Sequence, residues 1–150
     1  MGWATEAAKE IQARLDVSMD ARKWTMFVRE QINQQADGLF EELAEQVVAN
    51  AKEFDEGRSG NSGLRTEHRI PNNITVQRYL KPLKKLEFVY VPRRKVDVYF
   101  NGEITETFEF DVDNQGSVWF VDLDNERITV EGVSRRAFEP LIDLYRRILI

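Results

Sequence analysis

The first third of the chain carries apolar residues at helical spacing. From Trp24 to Phe54 they recur mostly three or four positions apart, which places them on one face of a helix. A shorter pattern of the same kind covers residues 4–15, and Asp16-Val17-Ser18 indicates a break between the two. Asp37-Gly38 indicates a kink or a helix end, because glycine weakens a helix interior. We therefore expect N-terminal helices, either as one long helix or as a helical hairpin.

From residue 87 the hydrophobic period changes to two, the period of a β-strand. Five segments follow it: EFVYV, KVDVYF, EITETFEFDV, SVWFVDL and RITVE. Asn101-Gly102, between the second and third, is a strong hairpin signal. Ser134 is the expected start of a terminal helix. The buried side of that helix is predicted to carry Phe138, Leu141, Ile142, Tyr145, Ile148 and Leu149.

The middle of the chain is less regular. Residues 57–63, GRSGNSG, predict a loop, because three glycines and two serines in seven residues disfavour regular structure. Residues 74–86 are assigned to a short helix, which would place Arg78, Lys81 and Lys85 on one face.

The order of these elements predicts an α+β fold. N-terminal helices pack on an antiparallel meander of about five strands, and a C-terminal helix follows. The 150 residues form one domain on this interpretation. The loop at 57–63 is a candidate sub-boundary between a helical part, 1–56, and a second part, 64–150, that holds the sheet and the last helix.

The composition excludes several classes of site. Cysteine is absent and His68 is the single histidine, so disulfides and Cys- or His-rich metal centres are excluded. The sequence shows no Walker loop, dinucleotide motif or G-x-S-x-G. No run approaches eighteen apolar residues, so no membrane span is expected. We therefore expect a cytoplasmic protein that is not an enzyme and uses no cofactor.

Charge is distributed unevenly along the chain. The net charge is −5, but residues 1–57 hold 6 basic and 12 acidic residues, and residues 96–150 hold 5 and 12. Residues 58–95 hold 10 basic and 2 acidic residues, a net +8. A basic segment in an acidic chain is either a partner-binding region or a surface that its acidic neighbours neutralise. Its candidate nucleic-acid-binding residues are Arg65, Arg69, Arg78, Lys81, Lys85, Arg93, Arg94 and Lys95.

The segment from Asp111 to Asp122 resembles a calcium-binding loop in its spacing. Asp111, Asp113 and Gln115 occupy positions one, three and five, Gly116 occupies position six, and Asp122 occupies position twelve. Gln115 and Asp122 depart from the usual ligands, and the flanks are predicted strands rather than helices. An ordinary turn rich in Asp, Asn and Gly has the same composition, and we expect the turn.

The predicted third and fourth strands supply the candidate protein-interaction residues. Glu109 and Asp111 lie on the polar face of the third strand. Trp119 and Val121 make the fourth strand apolar on both faces, which indicates that a second layer or a partner covers it.

These observations lead to two hypotheses of different kinds. The first is a non-catalytic protein-interaction factor, of the adaptor, inhibitor or immunity type, that binds a protein partner or a second copy of itself through a charged surface. The alternative is a nucleic-acid-binding accessory domain that uses residues 58–95.

Overall fold

The computed structural model describes residues 2–69 and 72–148, and it contains two helices and seven strands in the order α1, β1 to β7, α2. The helices are α1 (Trp3–Gly57) and α2 (Val130–Ile148). The strands are β1 (Leu64–Arg69), β2 (Asn73–Arg78), β3 (Lys84–Val91), β4 (Lys95–Phe100), β5 (Glu103–Val112), β6 (Val118–Val121) and β7 (Arg127–Ile128).

The strands form one antiparallel sheet in which spatial order follows chain order. This confirms the α+β fold, but the sheet has seven strands where the sequence predicts about five. The predicted helix over residues 74–86 is wrong, because this segment forms β2 and the start of β3. Ile74 and Val76 are both fully buried and pair with Phe88 and Leu86, so β-branched side chains here alternate into the core.

The N-terminal segment forms a single long helix, α1, which is the first of the two predicted alternatives. It continues without a break through Asp16-Val17-Ser18 and Gly38. Gly38 is exposed, and a Cβ atom at that position would meet no neighbouring atom within 4 Å. The helix ends at Gly57, and the predicted loop follows. Ser59 and Gly60 turn the chain with φ angles of 56° and 75°.

Both helices pack on the same face of the sheet. The second half of α1 and the buried side of α2 form one hydrophobic core with alternate residues of β2 to β6. This core joins residues from both sides of the 57–63 loop. Its largest fully buried side chains are Phe40, Phe88, Phe108, Phe120, Leu43, Ile74, Leu86 and Leu141.

The last strand is shorter than predicted, and α2 begins earlier. The helix starts at Val130 because Thr129 caps it: the Thr129 hydroxyl accepts the Gly132 N–H at 3.0 Å. Ser134 is not the cap but a fully buried residue that donates a hydrogen bond to Asn50 at 2.7 Å. Of the predicted buried side, Phe138, Leu141 and Tyr145 are buried, Ile142 is half-buried and Ile148 is 39% exposed. Leu149 lies outside the described residues.

The first half of α1 extends beyond the sheet. Residues 2–26 are exposed throughout, apart from the half-buried Ala7. Trp24, which the periodicity assigns to the packed face, is 47% exposed. Phe27 is the first residue after Ala7 that is not exposed, and its ring lies close to Gly116 in the β5–β6 turn. Gln35 then fastens the helix to that turn, donating to the Gly116 carbonyl at 2.8 Å and accepting the Val118 N–H at 3.2 Å.

Among the described residues, neither helix has the length and apolar content that crossing a membrane requires.

Candidate functional site

The face of the sheet opposite the helices is the open face, and no helix of the described chain covers it. Strand pairing places polar residues side by side across it, as with Asp97 of β4 and Thr107 of β5. Asp97 is buried within this face, where Lys95 lies 3.2 Å from its carboxylate and the Thr107 hydroxyl donates to it at 2.9 Å. The open face is therefore a polar surface with internal ion pairs.

The structure brings the four predicted interaction residues together on this face. Glu109 pairs with Val121, and Asp111 pairs with Trp119, across the β5–β6 ladder. Asp111 thus lies opposite the indole ring on the neighbouring strand, and Glu109 lies two residues away along β5 on the same face. We call Glu109, Asp111 and Trp119 the acidic–aromatic patch.

Val121 has a different role from the other three. It is 7% exposed, whereas Glu109 is exposed and Asp111 and Trp119 are intermediate. Glu109 lies on one side of it and Arg127 on the other. Val121 therefore stabilises the sheet and does not present its side chain to a partner.

Basic residues border the patch on both sides. Arg127 Nε lies 2.8 Å from Asp111 Oδ2, and Lys95 is the cross-strand neighbour of Glu109. Such exposed pairs contribute little to stability. They partly neutralise the patch and leave Glu109 as its most accessible acid.

Asp113 fixes the orientation of the indole ring. Its Oδ2 accepts the Trp119 Nε1–H at 3.0 Å, and its Oδ1 accepts the N–H groups of Gln115 and Ser117, both at 2.9 Å. The indole bond, followed by the turn N–H groups, lowers the pKa of Asp113. Asp113 thus closes the β5–β6 turn and holds Trp119 at the same time.

Asp122 performs a similar task at the β6–β7 turn. Its Oδ1 accepts the N–H groups of Asp124 and Glu126 at 2.9 Å each, and its Oδ2 bonds to Arg136 of α2 at 2.9 Å. The Glu126 N–H bond, and then Arg136, lower the pKa of Asp122. This carboxylate joins the turn to the C-terminal helix.

The calcium-like set does not converge. Asp111 contacts Arg127, Asp113 contacts Trp119, and Asp122 contacts Arg136, while Gln115 is exposed in the turn. Across residues 2–69 and 72–148, no group of three His, Asp or Glu residues is placed to hold a metal ion. The geometry is that of two Asp-closed turns.

The sequence predicts that Arg78 is part of the basic surface, but the structure buries it. It is 6% exposed, and its Nη1 donates to the carbonyl groups of Leu80 and Pro82 at 2.9 Å each. Its guanidinium also lies over the Tyr145 ring, 5.2 Å from the centroid. Arg78 therefore supports the β2–β3 connection from inside, and it does not share a helical face with Lys81 and Lys85.

The other basic candidates form two separate groups. Arg65, Lys81 and Lys85 lie at one end of the central strands, and Arg69, Arg93, Arg94 and Lys95 lie at the other. The eight residues of β3 separate the groups by roughly 25 Å.

Ion pairs neutralise some of these side chains. Arg69 contacts Glu67 at 3.2 Å and Lys85 contacts Glu87 at 3.6 Å. Arg93 and Arg94 are exposed at the β3–β4 turn, and within the described residues no carboxylate lies within 4 Å of either.

One polar cluster has no signal in the sequence. Tyr90, which is 4% exposed, donates its hydroxyl hydrogen to Asp37 at 2.6 Å and accepts the Arg93 N–H at 3.0 Å. Asp37, Tyr90 and Arg93 line a cleft of about 430 Å³ between α1 and β3. Asp37 and Tyr90 are 53 positions apart, so only the tertiary structure reveals the contact.

The chemistry of this cleft is limited. Burial and the bond to Asp37 raise the pKa of Tyr90 to about 12, so at neutral pH the phenol is a hydrogen-bond donor and not a base. His68 Nε2 lies 3.7 Å from Glu41 Oε1 beside the cleft. We assign the cluster to stability.

Comparison with known proteins adds no further assignment. The chain matches no protein-family model, and no curated protein and no solved structure shows significant similarity to it.

Proposed function

We propose that this protein is a non-catalytic interaction factor, of the adaptor, inhibitor or immunity type, that binds a protein partner through the open face of its sheet. The observation that supports the proposal is the acidic–aromatic patch, in which Asp111 pairs with Trp119 and Glu109 lies two residues along β5, on a face that no helix covers. The proposal includes no cofactor, and it places the protein in the cytoplasm.

The patch combines two features of protein-binding surfaces. An aromatic side chain with a fixed orientation is a common energetic centre of interfaces, and Asp113 holds the Trp119 ring in place. Because the ring is already ordered, binding costs less side-chain entropy. Acidic residues around it would attract a basic partner and accelerate association. The expected partner surface is therefore basic, with a recess for the indole ring.

The test reverses the charge of the patch. The variant Glu109→Lys/Asp111→Lys and the wild type are used to capture proteins from the native host at low salt. The matched control is Glu42→Lys/Glu45→Lys, which reverses two exposed acids on the solvent side of α1. Thermal unfolding of each variant shows whether the fold is kept. A milder variant, Glu109→Gln/Asp111→Asn, removes the charge without placing lysine beside Arg127.

We expect a partner that the wild type and the control retain and the patch variant loses. With that partner purified, the association rate should fall by about tenfold or more at low ionic strength, and salt should reduce the difference. Equal association rates for the patch variant and the control would show that this face is not the binding surface.

The alternative function, nucleic-acid binding through residues 58–95, has one supporting observation. Arg93 and Arg94 are exposed at the β3–β4 turn, and no carboxylate of the described chain lies within 4 Å of either. If they contact phosphates, anisotropy of a labelled duplex should show binding that weakens by about 0.9 log units per log unit of salt for each contact. Arg93→Ala/Arg94→Ala should flatten that slope. No binding at low salt, or an unchanged slope, would reject the alternative.

A further inference from the structure

The exposed first half of α1 carries a continuous stripe that the rest of the fold does not use. Its positions recur three or four residues apart, so they share one side of the helix. Its large members are solvent-exposed: Ile11 by 60%, Leu15 by 53%, Met19 by 53% and Met26 by 70%. The full stripe consists of Ala4, Ala8, Ile11, Leu15, Met19, Arg22 and Met26.

The spacing of this stripe is symmetric about Leu15. Reading from Leu15 toward either end, the steps are four, three and four residues. If two copies of the helix lie antiparallel with Leu15 at the centre, each position of the stripe meets another position of the stripe. The pairs are Leu15 with Leu15, Ile11 with Met19, Ala8 with Arg22, and Ala4 with Met26.

We propose that this stripe is a homodimer interface, in which the first halves of α1 from two copies pair antiparallel about a twofold axis at Leu15. The inference is independent of the open face. It assigns the exposed helix to a second copy of the same chain.

The side chains favour this antiparallel register. Each large or long side chain near one end faces an alanine near the other, so Arg22 lies over Ala8 and Met26 lies over Ala4. The aliphatic part of Arg22 can cover the apolar seam while its guanidinium reaches solvent. A parallel dimer would instead place Arg22 opposite Arg22, and like charges in an interface are unfavourable.

The length of the exposed segment of α1 also fits pairing with the same segment of a second copy. Residues 2–26 are exposed apart from the half-buried Ala7, so the exposed segment of the helix runs from residue 3 to 26 and its midpoint falls next to Leu15. Centring the pair on Leu15 uses the whole exposed segment, about 35 Å long. In this antiparallel arrangement the two sheets lie at opposite ends of the helix pair.

The charge and size of the segment are compatible with self-association. It carries four acidic residues (Glu6, Glu10, Asp16, Asp20) and four basic residues (Lys9, Arg14, Arg22, Lys23), a net charge of zero, so two copies do not repel each other. It offers 24 residues from each copy, from Trp3 to Met26. Standard interfaces use roughly 20–30 residues a side, and only one side of each helix is in contact here. We therefore expect a weak dimer.

Sedimentation equilibrium of the full chain tests the association. Between about 1 and 200 μM, the wild type should change from the 17.5 kDa monomer toward twice that mass. Leu15→Glu places two carboxylates together at the axis and should raise the dissociation constant about a hundredfold or more. The matched control is Val17→Glu, at an apolar residue that is 69% exposed on the opposite side of the helix, and it should dimerise like the wild type.

Cross-linking tests the register, since the chain has no cysteine of its own. Under mild oxidation, Leu15→Cys should cross-link to itself. Ile11→Cys alone and Met19→Cys alone should not cross-link, but a mixture of the two should form a disulfide-linked pair.

Three results would overturn the proposal. A wild type that is monomeric at the highest concentration would leave the stripe to another partner. Equal loss of dimer in Leu15→Glu and Val17→Glu would indicate non-specific association. Efficient self-cross-linking of Ile11→Cys would indicate a parallel pair. Circular dichroism and thermal unfolding of each variant exclude misfolding. Leu15→Glu should fold, because Leu15 is 53% exposed.

Discussion

Tyr90 shows how one hydroxyl group can couple stability to pH. Its ring stacks on Phe40 with centroids 4.7 Å apart, and its hydroxyl bonds to Asp37. Tyr90→Phe keeps the ring and removes only the hydroxyl. We expect a loss of about 1–2 kcal/mol in the free energy of unfolding at pH 8, measured by urea denaturation. Tyr99→Phe, at a half-buried tyrosine of the open face, is the control.

Tyr90→Phe also isolates the contribution of the Tyr90 hydroxyl to the pH dependence of stability. The folded pKa of Tyr90 is raised to about 12, while in the unfolded chain tyrosine ionises near pH 10. The neutral phenol therefore stabilises the fold fully below about pH 10, and this contribution is lost as the pH rises toward about 12. The wild type should lose stability more steeply than Tyr90→Phe over this range. Parallel curves for the two proteins would contradict this assignment, since other titrating groups are common to both.

Residues with local roles are easier to predict than residues with long-range roles. Asn101 and Gly102 form the predicted β4–β5 hairpin, with φ angles of 54° and 87°, because the turn depends only on those two residues. Arg78 has no such local signal. Its burial depends on Tyr145, far along the chain, so its charge suggests a surface role that the structure rules out.

At the scale of elements, periodicity succeeds where it extends over many residues. The alternation of β5 correctly places Glu109 and Asp111 on its polar face, where Asp111 pairs with Trp119. It fails over residues 74–86, where several lysines and leucines favour a helix. There the buried pairs of Ile74 and Val76 with β3 decide in favour of strands.

At the scale of the whole molecule, the length of α1 exceeds what the sheet can cover. Its 55 residues span about 80 Å, whereas seven strands are roughly 30 Å across. Periodicity predicts the apolar face of the helix but not where the sheet ends, and so the sequence assigns Trp24 to the packed face although it is 47% exposed. The molecule therefore consists of a packed body and an exposed helical segment, residues 3–26 of α1.

This division predicts that the two halves of α1 contribute very differently to stability. A chain that begins at Asp20 lacks only exposed residues of the helix and the half-buried Ala7. At about 1 μM, where we expect monomers, its free energy of unfolding should lie within about 1 kcal/mol of the wild type. Phe40→Ala, in the packed half, should cost about 3–5 kcal/mol because Phe40 is 1% exposed. Urea denaturation measures both. A loss above about 2 kcal/mol on truncation would mean that the free helix supports the body directly, and comparable losses in the two variants would remove the distinction between the halves.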